Sequence, residues 1–259
     1  MIDYGEISTG QFDEFNLNNA IAEVAALSAP FYLIVALSLP LIAIFLLYKY
    51  YVTNKIVVDK VAKKRLSASI LVAIFSLLFT EIDSIGSLTG MEFNQYVLIR
   101  RWVGAVAIFG TYLLFSALIQ SAMRYDFSHN RKKLVQDAGL SRISCFALIG
   151  ILLVSPFISD KEISDFFTLL ISVLLLMILF LALKVLKDTE NGIKDKTTRR
   201  FTMWSCYQIV FMSVGAFFNT VAILANLPPA ANLVRIPMAV LVAYAAYKVS
   251  KNLIKVEEE

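Results

Sequence analysis

The chain has 259 residues, of which 58% are hydrophobic and only 17% are charged, and its mean hydropathy is +0.71. A soluble domain usually has about 25% charged residues, so this composition excludes a water-soluble enzyme, a nucleic-acid-binding protein and a disordered chain. The net charge of +4 does not indicate a nucleic-acid partner, because most of the positive charges lie in loops that flank apolar segments.

Residues 1–29 form an acidic segment without lysine or arginine, which we place outside the cell. Seven apolar segments follow, each of roughly the length that crosses about 30 Å of hydrocarbon as an α-helix. They are residues 30–51, 66–88, 97–123, 143–158, 163–186, 200–218 and 221–247. Hydrocarbon offers no hydrogen-bond partner for unpaired backbone N–H and C=O groups, so the segments must be helical. We predict one all-α membrane domain over residues 30–250, followed by a charged cytoplasmic tail at 251–259.

The boundary between the sixth and seventh helices stays open at this point. Pro228 and Pro229 either start the seventh helix or kink it internally, because proline lacks the backbone N–H that a helix interior needs.

The basic residues predict the orientation of the domain. Of the 24 lysines and arginines, 20 lie in three alternate loops (49–65, 124–142 and 184–200) and in the tail at 248–259. Cytoplasmic loops of membrane proteins carry an excess of lysine and arginine. Seven spans therefore place the N-terminus outside and the C-terminus in the cytoplasm of a multi-pass cell-membrane protein.

Polar side chains recur at helical spacing in the second segment. Ser69, Ser76, Thr80, Asp83 and Ser87 fall on one side of an α-helix. Such a stripe can form a hydrated pathway or one wall of a ligand-binding site. Alternatively, its hydroxyls form hydrogen bonds with the backbone and with neighbouring helices. Asp83 is the strongest candidate among them, because an ionisable group inside a membrane is costly.

Three arginines are candidates for a predicted intramembrane polar network, and two of them belong to it. Arg100 and Arg101 open the third segment, and we expect one to reach the headgroups and the other to turn inward toward Asp83. Arg235 lies near the outer surface if the seventh helix starts at Pro229, but lies deep and needs an anionic partner if that helix starts near residue 221. The residues predicted to form the network are Ser76, Asp83, Ser87, Arg101 and Arg235.

Two local motifs resemble those of microbial rhodopsins, which have seven helices and an external N-terminus. In the sixth segment, Trp204 and Tyr207 stand in a Trp-Ser-Cys-Tyr stretch similar to the family's Trp-Ser-x-Tyr-Pro motif, and Arg101-Trp102 resembles its arginine–aromatic pair. The second segment has a similar layout, with Thr80 and Asp83 toward the interior. The resemblance implies a retinal pocket lined by Thr80, Trp204, Tyr207, Phe211 and Met238.

The chain departs from the family at the positions that react with retinal. The family's carboxylate counterion falls on Gly104, its helix-six proline on Gln208, and its Schiff-base lysine on Met238. The nearest lysine is Lys248, beside the basic tail. We therefore predict no cofactor, with retinal attached to Lys248 as the alternative.

Few side chains could bind a metal or catalyse a reaction. The chain contains one histidine, His129, and two cysteines, Cys145 and Cys206. Haem, zinc and iron–sulfur sites need more ligands than these, and the cysteines indicate no disulfide framework. We expect no metal and no enzyme, because no nucleophile–base pair or phosphate loop is visible.

Three functions remain. The first is a retinal-free, opsin-like membrane protein acting as a sensor, scaffold or partner subunit, with the lipid bilayer and either a second copy or a membrane protein as partners. The second is a light-driven pump or light-gated channel that uses Lys248. The third is a transporter of small solutes or ions with a polar site at Asp83, Arg101 and Arg235.

Overall fold

The computed structural model describes the backbone of residues 18–89, 93–124, 131–158, 161–192, 196–224 and 228–258. The described chain contains seven α-helices and no strand. They are α1 (Asn18–Ile56), α2 (Lys60–Thr89), α3 (Phe93–Arg124), α4 (Arg131–Val154), α5 (Lys161–Gly192), α6 (Lys196–Leu224) and α7 (Pro228–Glu258). A short 3₁₀ turn, Ser155–Phe157, continues α4. The predicted all-α class is therefore confirmed for this part of the chain.

The helices are longer than the apolar segments that predicted them. α1 begins at Asn18, so the predicted boundary at residue 29 falls inside it, and α7 runs through most of the predicted tail to Glu258. Asp59 begins α2 as a cap, because its carboxylate accepts hydrogen bonds from the backbone N–H groups of Val61 and Ala62, both at 3.3 Å.

The seventh predicted segment starts too early. Residues 221–224 belong to α6, and Pro228 and Pro229 occupy the first turn of α7, where a proline costs no helical hydrogen bond. The proline inside α7 is Pro237.

The seven helices form a closed ring around a buried interior. Each helix packs against the next in sequence, and α7 returns to contact both α1 and α2. Since consecutive helices lie side by side and are joined by short connections, they run antiparallel. One end of the ring, which we call the basic end, contains the C-terminal ends of α1, α3, α5 and α7 and the N-terminal ends of α2, α4 and α6, where most of the lysines and arginines lie.

Six of the described helices, α1 to α6, are long and apolar enough to cross a membrane. The described part of α7 does not meet the same criterion of length and hydropathy. Large apolar side chains cover the outer surface of the ring, and on α1 alone Leu37 and Leu41 are 64% and 66% exposed. Such a surface is suited to hydrocarbon rather than to water.

Candidate functional site

A cavity of about 110 Å³ lies in the middle of the ring. All helices except α1 contribute to its wall, and we call it the central cavity. Its lining residues are Ser76, Phe79, Thr80, Arg100, Arg101, Gly104, Ala107, Ile108, Leu148, Leu152, Thr168, Ile171, Leu175, Phe211, Met212, Gly215, Ala216, Asn219, Thr220, Arg235, Met238, Ala239 and Val242.

Arginines from two helices meet on one asparagine at the cavity wall. Asn219 of α6 accepts hydrogen bonds at its Oδ1 atom from Arg100 Nη2 at 2.8 Å and from Arg235 Nη1 at 3.3 Å. Arg235 and Asn219 are only 6% and 4% exposed. The guanidinium of Arg100 also lies 4.9 Å from the ring centre of Phe79, a cation–π distance. Together with Arg101, three arginines are among the lining residues of the cavity.

The burial of Arg235 among the helices is a separate matter from its depth in the membrane. The helix starts at Pro228, the alternative that predicted an unremarkable surface position, yet Arg235 is buried. Its burial comes from lateral packing against α6, because Asn219 lies beside it. Arg100 and Arg101 both line the cavity and both are partly exposed, so the expectation that one of them reaches the headgroups stays a prediction.

The hydroxyl stripe of α2 reaches the same cavity. Ser76 and Thr80 line it, and Thr80 donates a 3.1 Å hydrogen bond to the backbone oxygen of Ser76. The Ser76 hydroxyl has no hydrogen-bond partner among the described residues. The side chains of Asp83 and Ser87 lie outside the described ones, so their predicted place in the network stays a prediction.

Apart from Thr168 and Thr220, apolar groups form the rest of the wall, including two of the positions at which the chain departs from microbial rhodopsins. Gly104 of α3 and Met238 of α7 both line the cavity, as does Phe211 of α6. Met238 packs closely on α6, because a Cβ atom built on Gly215 would lie 2.8 Å from the Cβ atom of Met238.

The remaining predicted aromatic residues form a cluster between the cavity and the basic end. Trp204 lies 5.6 Å from Tyr207 and 5.6 Å from Tyr244, measured between ring centres, and Tyr207 stacks on Phe211 at 6.2 Å. The Nζ atom of Lys248 lies 5.0 Å from the ring centre of Tyr244 and 5.9 Å from that of Trp204. Of this cluster, only Phe211 is a lining residue.

Two buried polar contacts near the basic end were not predicted from the sequence. Gln208 exchanges two hydrogen bonds with Ser69. Arg65, only 1% exposed, donates a hydrogen bond to Thr202 at 3.3 Å and lies 4.4 Å from the ring centre of Phe201. Arg65 follows two lysines and so looked like part of a solvated loop. Asn219 was also missed, although a lone amide in an apolar segment is the signal that marks such a residue.

Among the described residues, no group of three or more histidine, cysteine, aspartate or glutamate side chains could hold a metal ion. No protein family, curated protein or solved structure matches the chain.

Proposed function

We propose that the chain is an opsin-like, seven-helix integral membrane protein of the cell membrane that works without retinal. It acts as a sensor, scaffold or partner subunit, and of these the central cavity favours a sensor. The observation that carries the proposal is that Gly104 and Met238 line one cavity. The resemblance to microbial rhodopsins assigns the counterion and the Schiff-base lysine to these positions.

The chemistry of the wall disfavours retinal. A Schiff base needs an amine, and Met238 provides a thioether; a protonated imine needs a counterion, and Gly104 has no side chain.

The volume of the cavity also disfavours retinal. An engineered cavity of about 150 Å³ binds benzene, and the central cavity measures about 110 Å³. A polyene chromophore with a cyclohexene ring is several times larger than benzene, so the cavity suits a smaller molecule.

The contacts between α6 and α7 support a sensor. Phe211 and Gly215 of α6 and Met238 of α7 line the cavity, and the close approach of Gly215 to Met238 leaves little room for independent motion. Toward the basic end, the cluster of Trp204 and Lys248 joins the same two helices. A change in the cavity would therefore move both helices at the end that the positive charges place in the cytoplasm.

Addition of all-trans retinal to the purified protein tests the absence of a chromophore. We expect no visible absorption band. A band that hydroxylamine bleaches would refute the proposal, and its loss in Lys248→Ala but not in Lys251→Ala would identify the light-driven alternative. Lys251 is the matched control, because it lies on the same helix and is exposed.

A transporter of small solutes is the second candidate, because Arg101 and Arg235 line the same cavity, as the polar-site hypothesis requires. In liposomes, a transporter would carry an anionic solute and lose that flux in Arg235→Gln. A sensor would show no flux in either form.

A further inference from the structure

We propose that the central cavity binds a small neutral molecule that carries one hydroxyl group on a compact apolar body, such as a phenol or a short-chain alcohol. This ligand class belongs to the proposed sensor, and the consequence of binding rests on that proposed function. The arrangement of the wall, the hydroxyl group of Ser76 and the volume of the cavity support it.

The cavity has one polar end and one apolar end. On every lining helix except α4, the lining residue farthest from the basic end is polar, namely Thr80, Arg100, Thr168, Thr220 and Arg235. On every lining helix except α2, the lining residue nearest the basic end is apolar, namely Ile108, Leu148, Leu175, Phe211 and Val242. A ligand that fills the cavity must share this asymmetry, because burial favours apolar surface against the apolar end, whereas a buried polar group needs a hydrogen bond.

Side chains of the polar end already form hydrogen bonds within the wall. Arg100 and Arg235 donate to Asn219, and the hydroxyl of Thr220 donates to the backbone oxygen of Ala216 at 2.8 Å. An ionised ligand would lose its hydration on entering this interior and would have to recover that free energy from the wall. A hydroxyl group costs far less to bury, and it can join such an end either as a donor or as an acceptor. The polar end is therefore suited to a neutral hydroxyl group.

Ser76 provides a hydrogen-bond donor between the two ends. It lines the cavity one helical turn closer to the basic end than Thr80, and its hydroxyl has no hydrogen-bond partner among the described residues. A buried hydroxyl without a partner is destabilising, and a serine side chain can turn between staggered rotamers to meet an oxygen atom in the cavity. The Ser76 hydroxyl then donates to the oxygen of the ligand, and the apolar body extends toward Ile108 and Phe211.

The volume limits the apolar body to a single small ring or its equivalent. The cavity measures about 110 Å³, somewhat less than the engineered cavity of about 150 Å³ that binds benzene. Gly104 helps to keep this space open, because a Cβ atom added there would meet Phe79 and Leu152 only at ordinary contact distances of 3.4 to 3.9 Å. A larger side chain at this position would occupy the place of the ligand.

Three matched ligands test the inference on the unaltered protein in lipid nanodiscs. Para-fluorophenol, fluorobenzene and para-fluorobenzoate share one ring and carry, near neutral pH, a neutral hydroxyl, no polar group and a carboxylate. Fluorine NMR measures their saturable binding, and empty nanodiscs give the background from partition into lipid. We expect para-fluorophenol to bind, fluorobenzene to bind about threefold or more weakly for lack of the hydrogen bond, and para-fluorobenzoate to bind at least about tenfold more weakly.

Each of the contrary results would overturn the inference. The absence of saturable binding of para-fluorophenol would exclude the site. Equal affinity for fluorobenzene would exclude the role of the hydroxyl, and equal or higher affinity for para-fluorobenzoate would exclude a neutral ligand.

Two variants locate the site, each with a matched control. Gly104→Val should abolish the saturable binding of para-fluorophenol, whereas Gly150→Val, with open space around it, should bind normally. Ser76→Ala should weaken binding of para-fluorophenol about threefold or more and leave that of fluorobenzene unchanged, a difference that a misfolded protein would not show. Ser116→Ala should alter neither, because the hydroxyl of Ser116 bonds to the backbone oxygen of Tyr112 within α3. Undiminished binding in Gly104→Val would place the ligand elsewhere, and equal effects of Ser76→Ala on both ligands would refute the hydrogen bond.

A distance measurement separates this inference from the proposed function. Spin labels at Lys132→Cys on α4 and Lys251→Cys on α7 report the width of the basic end, and both positions are exposed. Binding of para-fluorophenol with a changed distance supports both. Binding without a change would retain the site but refute the sensor, whereas no binding would refute the site and leave the retinal test to decide the function.

Discussion

The side-chain amide of Gln208 in α6 clamps Ser69 of α2 across the interior of the ring. Ser69 Oγ donates to Gln208 Oε1, and Gln208 Nε2 donates to the backbone oxygen of Ser69, both at 2.6 Å. Both residues are fully buried. α2 and α6 are not neighbours in the ring, and the described side-chain contacts that join them are this clamp and the contacts of Arg65 with Thr202 and Phe201.

We expect Gln208→Leu to lower the free energy of unfolding by about 1–2 kcal/mol, because hydrogen bonds between membrane helices average about 0.6 kcal/mol and reach about 1.7. Unfolding in increasing dodecyl sulfate would measure the change. Gln120→Leu is the control, since Gln120 is exposed on α3. In a double-mutant cycle, Ser69→Ala should couple to Gln208→Leu, and a coupling energy of zero would contradict the clamp.

Close helix contacts depend on two glycines. A Cβ atom on Gly215 would lie 2.8 Å from the Cβ atom of Met238, and one on Gly110 would lie 3.1 Å from the backbone nitrogen of Val72. Neither neighbour is the end of a flexible side chain, so an added methyl group must push the helices apart.

Gly215→Ala and Gly110→Ala should therefore lower the unfolding temperature, since overpacking costs about 1–3 kcal/mol, more than the roughly 1 kcal/mol that alanine contributes to a helix. Gly150→Ala should have no effect or raise it, because nothing lies within 4 Å of its added Cβ atom. A thermal scan of the three variants in one detergent measures the difference. Equal unfolding temperatures would mean that α6 and α7 approach less closely than described.

The apolar pattern predicted the helices, but it could not predict how they meet. The length of an apolar segment identifies a helix that crosses hydrocarbon, so each predicted segment lies mostly within one helix. The pattern could not locate the true ends, because polar residues continue a helix beyond its apolar part, as they do in α1 from Asn18.

Lateral partners were harder still to predict. Ser69 and Gln208 are 139 positions apart, and Arg100 and Asn219 are 119 apart. No local signal connects such pairs. In the sequence, Gln208 is recognisable only as the position at which the chain lacks the proline of microbial rhodopsins. The environment of Arg235 could be inferred only from the residue at which its helix begins. In the structure, the environments of Gln208 and Arg235 are determined by side chains from other helices, namely Ser69 of α2 and Asn219 of α6.

Both cysteines are shielded from solvent in the described structure. Cys145 is 0% exposed and Cys206 is 1% exposed. We expect a maleimide to leave both unmodified in the folded protein and to label both after dodecyl sulfate unfolds it. A thiol-reactive dye that fluoresces on reaction would follow this during heating. Labelling of Cys145→Ser would report Cys206 alone, and rapid reaction of either thiol at room temperature would contradict its burial.

The low reactivity of the native cysteines allows a direct test of the predicted orientation. Gln95 near the start of α3 and Lys132 near the start of α4 are exposed at opposite ends of the ring. Because lysine and arginine concentrate at the basic end, that end should face the cytoplasm. In intact cells, a membrane-impermeant maleimide should label Gln95→Cys within minutes and should label Lys132→Cys only after permeabilisation. The reverse labelling pattern would mean that the protein is inserted in the opposite orientation, with the arginines of the central cavity nearer the cytoplasm. Labelling of both in intact cells would mean that α3 does not cross the membrane.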